Sequence, residues 1–217
     1  MTKDLVIIGA GGFGREASLL VEEINKAEHY KAKWNLLGFI DDDYCKRGVK
    51  LRGYPVLGGF ADLSELSAGV SAICVVGEPA YKKKMVEQVK NRGLHFANLI
   101  HPEVELSADV SIGEGVLINK GCLLTTNIII GNHVSINPGC GIGHDAVIGD
   151  YTTLMWRVNI SGAVQIDEGC MIGSGTTILQ GRSIGESVLI GAGAVVINDL
   201  QAKVTVAGVP AKVIQSK

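Results

Sequence analysis

Aromatic residues are scarce in this chain, at 5% of 217 positions. A large globular interior is usually filled by rings as well as aliphatics, so their scarcity beside 29 glycines suggests thin, repetitive packing. An excess of basic charge is also missing. Lys and Arg number 20 against 22 Asp and Glu, a net charge of −2, which leaves no electrostatic footprint for nucleic acid. No apolar run approaches the roughly 20 residues that a membrane-spanning helix needs. The opening MTKDLVIIGAGG reads as a strand and a glycine loop rather than a secretory signal, because its apolar run is short and leads into turn sequence. Cysteines are few and odd in number (Cys45, Cys74, Cys122, Cys140 and Cys170) and lie in apolar settings. They read as reduced small hydrophobes, which predicts a cytoplasmic protein.

What the chain does have is a period of six. Stepping from Val104 to Leu200, the first positions are almost all small or β-branched, Arg182 being the one clear misfit. The third positions, from Leu106 through Ile112, Ile118 and so on to Val196, are aliphatic sixteen times in succession. The fourth is often glycine, as at Gly113, Gly131, Gly143, Gly149, Gly173, Gly185 and Gly191. Positions one and three of a short strand share a face, and the intervening residues turn the chain before the next strand. Short identical units that stack on their neighbours bury one narrow, continuous core. A helix fails because six is not a multiple of 3.6, and a coiled coil fails because no heptad is present.

The N-terminal part follows another logic. Asp4–Ile8 is predicted to be a strand, followed by Gly9-Ala10-Gly11-Gly12-Phe13-Gly14 and a helix from Arg15 to about Lys26. This G-x-G-x-x-G between strand and helix suits phosphate binding at a helix N-terminus. Further strands are predicted at Leu36–Ile40, ending in Asp41-Asp42-Asp43, at Ile73–Val76, ending in Gly77, and at Phe96–Leu99, with a basic helix over Tyr81–Arg92. The segment before the repeat is too short for both halves of a dinucleotide-binding domain, which disfavours NAD. A half-Rossmann module holding a nucleotide sugar is the alternative, with Gly11, Gly12, Phe13, Gly14, Asp41, Asp42 and Gly77 converging on one crevice at the strand C-termini. Gly77 reads equally well as a plain turn residue. Two domains are predicted, 1–100 and 101–217, with His101-Pro102 at the junction.

His144 falls on a turn, off the apolar columns, where packing gives no reason for it. The adjacent Asp145 can orient the ring, and a neutral imidazole suits proton abstraction near pH 7. A solvated turn histidine is the bland alternative. If one coil is eighteen residues, His144 stacks near Thr126 and Gly162, and the Gly162 N–H is available to an oxyanion. No Ser or Cys beside His144 suggests an acyl-enzyme nucleophile. A zinc site of the three-histidine kind is disfavoured, because the repeat offers only His133 and His144, on different edges.

The hexad pattern resembles the hexapeptide-repeat acyltransferases, which implies a left-handed parallel β-helix with three hexads per coil and a trimeric assembly. A half-Rossmann domain followed by such a prism resembles the bacterial sugar O- and N-acyltransferases of the sialic acid O-acetyltransferase type, which include the nucleotide-4-amino-sugar N-acetyltransferases. The segments LVIIGAGGFGRE, GFIDDD, CVVGEP, LIHP, INPGCGIGHDAVIGDYTTL, VNISG, IGAGAVV and VAGVPAKVI carry that resemblance over nearly the whole chain. It implies His144 as catalytic base, Asn137 at the site, Gly162 as the donor to the thioester carbonyl, and Thr153, Ser174, Ala192 and Lys212 near acetyl-CoA, with no metal. The chain departs from the pattern at Phe13, where several members carry His, and at Trp156-Arg157, where Pro-Gly is usual. The expected activity is acetyl-CoA-dependent N-acetylation of a nucleotide-linked 4-amino sugar. O-acetylation of a sialic acid or other sugar, and a non-catalytic nucleotide-sugar-binding trimer, are the alternatives.

Overall fold

A computed structural model describes residues 2–28, 33–66 and 69–216. The chain divides into two compact units, Met1–Pro102 and Glu103–Lys217.

The first unit is a mostly parallel sheet. β1 (Thr2–Ile8) leads into α1 (Gly12–Lys26) and β2 (Lys33–Ile40). A small antiparallel pair follows, β3 (Lys50–Leu51) and β4 (Tyr54–Gly58), then β5 (Ser71–Cys74), α2 (Pro79–Lys90) and β6 (His95–Phe96). The order is β3-β4-β2-β1-β5-β6, so the chain steps to one side of β1 and then to the other. That reversal puts the carboxyl ends of β1, β2 and β5 at a topological switch point. Leu5, Val6, Ile7 and Ile8 of β1 are all fully buried, the continuous apolar run expected of a strand covered on both faces.

Several boundaries differ from the sequence reading. α1 begins at Gly12, not Arg15, so three of the loop residues form its first turn. The third parallel strand lies at Ser71–Cys74 rather than Ile73–Val76, and α2 starts earlier because Pro79 suits the first helical position and Glu78 caps it. Phe96–Leu99 is no single strand; it splits into β6 and a second two-residue strand, Leu99–Ile100. The β3–β4 pair was not legible, since Gly48 and Gly53 break its apolar pattern.

The second unit is a parallel β-helix. Strands of two residues pair with strands eighteen residues away, as Ile130 with Ile148 and Ile142 with Ile160. One face carries Leu123–Leu124, Gly141–Ile142, Asn159–Ile160, Thr177–Ile178 and Val195–Val196. A second runs from Ser111–Ile112 to Ser183–Ile184. A third includes Ser135–Ile136, Thr153–Leu154 and Met171–Ile172, and is extended by Val204–Ala207 with antiparallel Lys212–Ser216 beside it. The aliphatic column is buried from Ile118 to Val196, each side chain contributing about 1.5–3 kcal/mol. Leu106 is exposed and Ile112 half-exposed, and the first regular strand starts only at Ser111.

The turns have a backbone rule of their own. Position six of every hexad from Gly115 to Gly193 lies in the left-handed region, with φ between 54° and 74°. Half of these residues are not glycine: Asn127, His133, Asp145, Tyr151, Arg157, Ala163 and Ser187. The position-four glycines have a different cause. A Cβ on Gly143 would stand 2.6 Å from Gly162 N and 2.8 Å from Ser161 C, so the next coil forbids it. Arg182 also finds its explanation: its guanidinium turns outward to Asp199, at 3.5 Å.

Candidate active site

His144 lies on the edge that follows the Gly141–Ile142 strand, at position five of its hexad. Asp145 occupies position six with φ 60°, a conformation that Asp tolerates better than most residues. That backbone turn presents the carboxylate to its neighbour: Asp145 Oδ2 is 2.7 Å from His144 Nδ1. The other carboxylate oxygen, Oδ1, accepts from Asn127 Nδ2 at 2.6 Å, one coil away. The hydrogen bonds from Asn127 and His144 hold the Asp145 carboxyl below its ordinary value. It is therefore an anion at neutral pH, and it fixes the proton of a neutral His144 on Nδ1, leaving Nε2 as the acceptor.

One coil further along the edge, Ala163 N donates to His144 O at 2.7 Å, and the imidazole lies over Gly162. A Cβ at residue 162 would overlap Nε2 and stand 2.6 Å from Cε1 and 2.9 Å from Cδ2. Glycine is the one residue that leaves room for the ring. Among the described residues no acceptor takes the Gly162 N–H. Beside this edge the strand face carries a shallow cavity of about 210 Å³, lined by Leu123, Thr125, Gly141, Gly143, Asn159 and Ser161 among others. The half-exposed imidazole, its carboxylate, a backbone donor and an open hollow together suit proton transfer at a carbonyl that becomes tetrahedral.

The other residues expected here are distributed differently. Ser174 and Ala192 stack on the opposite edge of the same face, joined by Gly193 N to Ser174 O at 2.8 Å; exposed Trp156 lies one coil below, linked through Gly175 N to Trp156 O at 2.8 Å. Lys212 is exposed on the terminal strand, and Ala211 N donates to Val195 O at 2.8 Å, which ties that segment to the end of this face. Asn137 also falls on the edge of Ser174, not that of His144. Its side chain is buried and donates to Leu154 O at 2.9 Å. Thr153 is fully buried, so it presents no surface to a cofactor. His133 is buried on the third edge, stacked on Tyr151 with centroids 5.3 Å apart and planes at 16°.

In the first unit, Gly11–Gly14, Asp41–Asp42 and Gly77 all follow carboxyl ends of neighbouring strands. Gly9 has φ 106°, and a Cβ on Gly14 would collide with Gly9 O, so these two glycines are steric necessities of the tight strand-to-helix turn. Gly11 faces open space instead, and a Cβ on Gly12 would meet only the Arg15 guanidinium, at 3.9 Å. α1 has no side-chain cap at Gly11 and no acid in its first turn, leaving its first N–H groups and dipole to an anion.

Asp41 is engaged by its own loop as well as lining a cavity. Its Oδ2 accepts from Ala10 N at 2.8 Å and from Lys46 Nζ at 3.1 Å, and its Oδ1 from Asp43 N at 2.9 Å. Burial raises its carboxyl, but the Asp43 and Ala10 N–H groups and the Lys46 ammonium outweigh this and hold it below the ordinary value. Asp41 thus clamps the glycine loop. Asp42 Oδ1 accepts from Phe60 N at 2.9 Å. A cavity of about 160 Å³ opens beside both, lined also by Tyr44, Arg47, Gly58, Gly59 and Asp62. Sequence reasoning missed Tyr44 and Arg47, on the short turn after β2, and Asp62, which the β3–β4 excursion brings back to this cavity.

Comparison with known proteins agrees with this architecture. Residues 4–89 match the PglD N-terminal domain family. The acetyltransferase domain of PglB from Neisseria gonorrhoeae superposes with a TM-score of 0.88 at 27% identity, covering 98% of this chain and 100% of that one. PerB from Caulobacter crescentus, solved in complex with CoA and GDP-perosamine, superposes with a TM-score of 0.85 at 29% identity, covering 98% and 97%. The first unit thus carries a PglD N-terminal domain, and the chain as a whole is similar to acetyltransferases of the same two-part architecture. A curated relative, 2,3,4,5-tetrahydropyridine-2,6-dicarboxylate N-acetyltransferase of Clostridium perfringens, is 45% identical over 51 residues. That match spans only 24% of this chain and 22% of the relative.

Proposed function

We propose that this protein transfers the acetyl group of acetyl-CoA to the amino group of a nucleotide-linked 4-amino sugar, with His144 as general base. The observation that carries this reading is the alignment of Asp145, His144 and Gly162 along one prism edge, with Asp145 Oδ2 2.7 Å from Nδ1 and Nε2 above the Gly162 backbone. The sugar acetyltransferases among its structural neighbours, PerB with GDP-perosamine included, support this substrate class.

The acceptor amine, entering neutral, attacks the thioester carbonyl carbon. His144 Nε2 removes one N–H proton as the C–N bond forms, and Asp145 stabilises the resulting imidazolium. The carbonyl oxygen becomes an oxyanion that the Gly162 N–H stabilises. The tetrahedral intermediate then collapses, the C–S bond breaks, and the imidazolium returns its proton to the departing CoA thiolate. The products are the N-acetyl sugar and free CoA, and no acyl-enzyme forms.

The open N–H groups at the start of α1, with Gly11 unobstructed, suit the diphosphate of the acceptor. The cavity at Asp42, Tyr44 and Arg47 suits its polar sugar or base groups. Gly162 and the Ser174–Ala192 pair stand on opposite edges of one face. A single CoA that meets both sets is best held between two copies of the chain, as in the homotrimer that the resemblance implies.

The test is His144→Ala, assayed by CoA release with UDP- and GDP-linked 4-amino sugars and with free sialic acid. Turnover of the amino sugars should fall by about 10²–10⁴. Undiminished acetyl transfer refutes the assignment of the base, and preference for sialic acid refutes the acceptor.

A further inference from the structure

We propose that Asn127 is a positioning residue for this acetyl transfer, acting on His144 through Asp145; the inference rests on the reading of His144 as base. Its grounds are geometric. Asn127 stands at position six, one coil before Asp145 at position six of the next, so the two side chains stack along the same edge. Asn127 Nδ2 donates to Asp145 Oδ1 at 2.6 Å while Oδ2 meets His144 Nδ1 at 2.7 Å. The carboxylate is thus held from both sides, and its plane is set by two partners rather than one.

That second support matters because the edge is open. The side chains of His144 and Asp145 are about half exposed, at 52% and 51%; the ring rests on Gly162, while the carboxylate stands in solvent. An exposed carboxylate adjacent in sequence to a histidine would rotate among several positions. The Asn127 amide selects the one that faces Nδ1, and with it the tautomer that leaves Nε2 free over Gly162. The residue before Asn127 is tied to the coil below, because Asp109 accepts from the hydroxyls of Thr126 and Ser107. The chain of contacts runs Asn127, Asp145, His144.

Asn127 has φ 54°, and asparagine is tolerated in that region, so a purely conformational role must be separated from a positioning one. Asn127→Gly removes the amide and keeps the turn. Asn127→Asp keeps both size and turn preference but sets a carboxylate against Asp145. The experiment is a double-mutant cycle on acetyl transfer, with each variant made in the native chain and in Asp145→Ala. In the native chain kcat should fall about tenfold for Asn127→Gly, the size expected for losing one hydrogen bond to a charged group, and at least as far for Asn127→Asp, with both KM values within about twofold. In Asp145→Ala the same changes should alter kcat by less than about twofold, because the residue through which Asn127 acts is gone. Imidazole ¹⁵N shifts should show the His144 tautomer becoming mixed in Asn127→Gly. Equal losses in both backgrounds, or a native-like kcat in Asn127→Gly, overturn the proposal. If Asp145→Ala itself turns over like the native enzyme, the dyad is wrong and the role of Asn127 falls with it. An inactive native protein would instead condemn the acetyltransferase reading.

Discussion

Replacing Gly162 by alanine should abolish most activity while leaving the fold nearly intact. The new Cβ would overlap His144 Nε2 and stand 2.6 Å from Cε1 and 2.9 Å from Cδ2. Ordinary contact needs about 3.5–4.0 Å, so the ring must retreat by roughly 1 Å. A bond of 2.7 Å to Asp145 cannot stretch that far and survive, since hydrogen bonds of this kind end near about 3.2 Å. The base would lose both its place and its orienting anion. Loss of a positioned general base costs about 10²–10⁴ in rate, or roughly 3–5.5 kcal/mol of barrier. Stability should hardly change, because the half-exposed imidazole can swing into solvent. A loss of about 1 kcal/mol or less corresponds to a fall in Tm below roughly 4 °C for a chain of this size. Gly143→Ala supplies the contrast. Its Cβ meets the backbone of Gly162 and Ser161 at 2.6 and 2.8 Å, which cannot move aside without parting two coils. That variant should lose stability first, with a Tm fall well beyond that of Gly162→Ala. Steady-state CoA release and thermal unfolding on the same samples decide the matter. Gly162→Ala with kcat within about threefold of native refutes the placement of the base, and so does a Tm loss equal to that of Gly143→Ala.

Two further outcomes follow from the first unit. Gly14→Ala drives a Cβ into Gly9 O, with Gly9 C at 3.1 Å, and should cost a few kcal/mol in urea unfolding; a change under about 0.5 kcal/mol would show that the loop is slack. Asp41 has a folded-state carboxyl below the ordinary 3.8, so the stabilisation it contributes is present above that value and is lost as pH falls through the lower folded one. Asp41→Asn should remove that acid dependence, and should lower Tm at pH 7 by freeing the glycine loop. Native and variant melting curves that decline in parallel from pH 6 to 2 would contradict the clamp.

The first unit shows where local signals run out. β1, α1 and α2 were legible because a buried apolar run and amphipathic spacing mark them. The role of Asp41 was not. A carboxylate after a strand looks the same in sequence whether or not it holds its own loop, and only the structure shows the 2.8 Å bond from Ala10 N beside the cavity that Asp41 also lines. Asn137 and Thr153 show a related limit: their motif positions match a resemblance, and the structure adds that both side chains are buried.

The second unit is the opposite case. The sequence by itself determined the period of six and the displacement of His144 from the apolar columns, because each hexad packs only on its neighbours and local pattern becomes global structure; the eighteen-residue coil was implied by the resemblance, and the pairing of Ile142 with Ile160 shows it. Tertiary structure alone decided which groups the turns bring together. The left-handed turn at position six swings Asp145 against His144, the coil stack lays that ring over Gly162, and Asn127 reaches Asp145 from eighteen residues earlier. A repeat fixes where each side chain stands, while its hydrogen bonds depend on backbone angles and neighbours one coil away that the period does not encode.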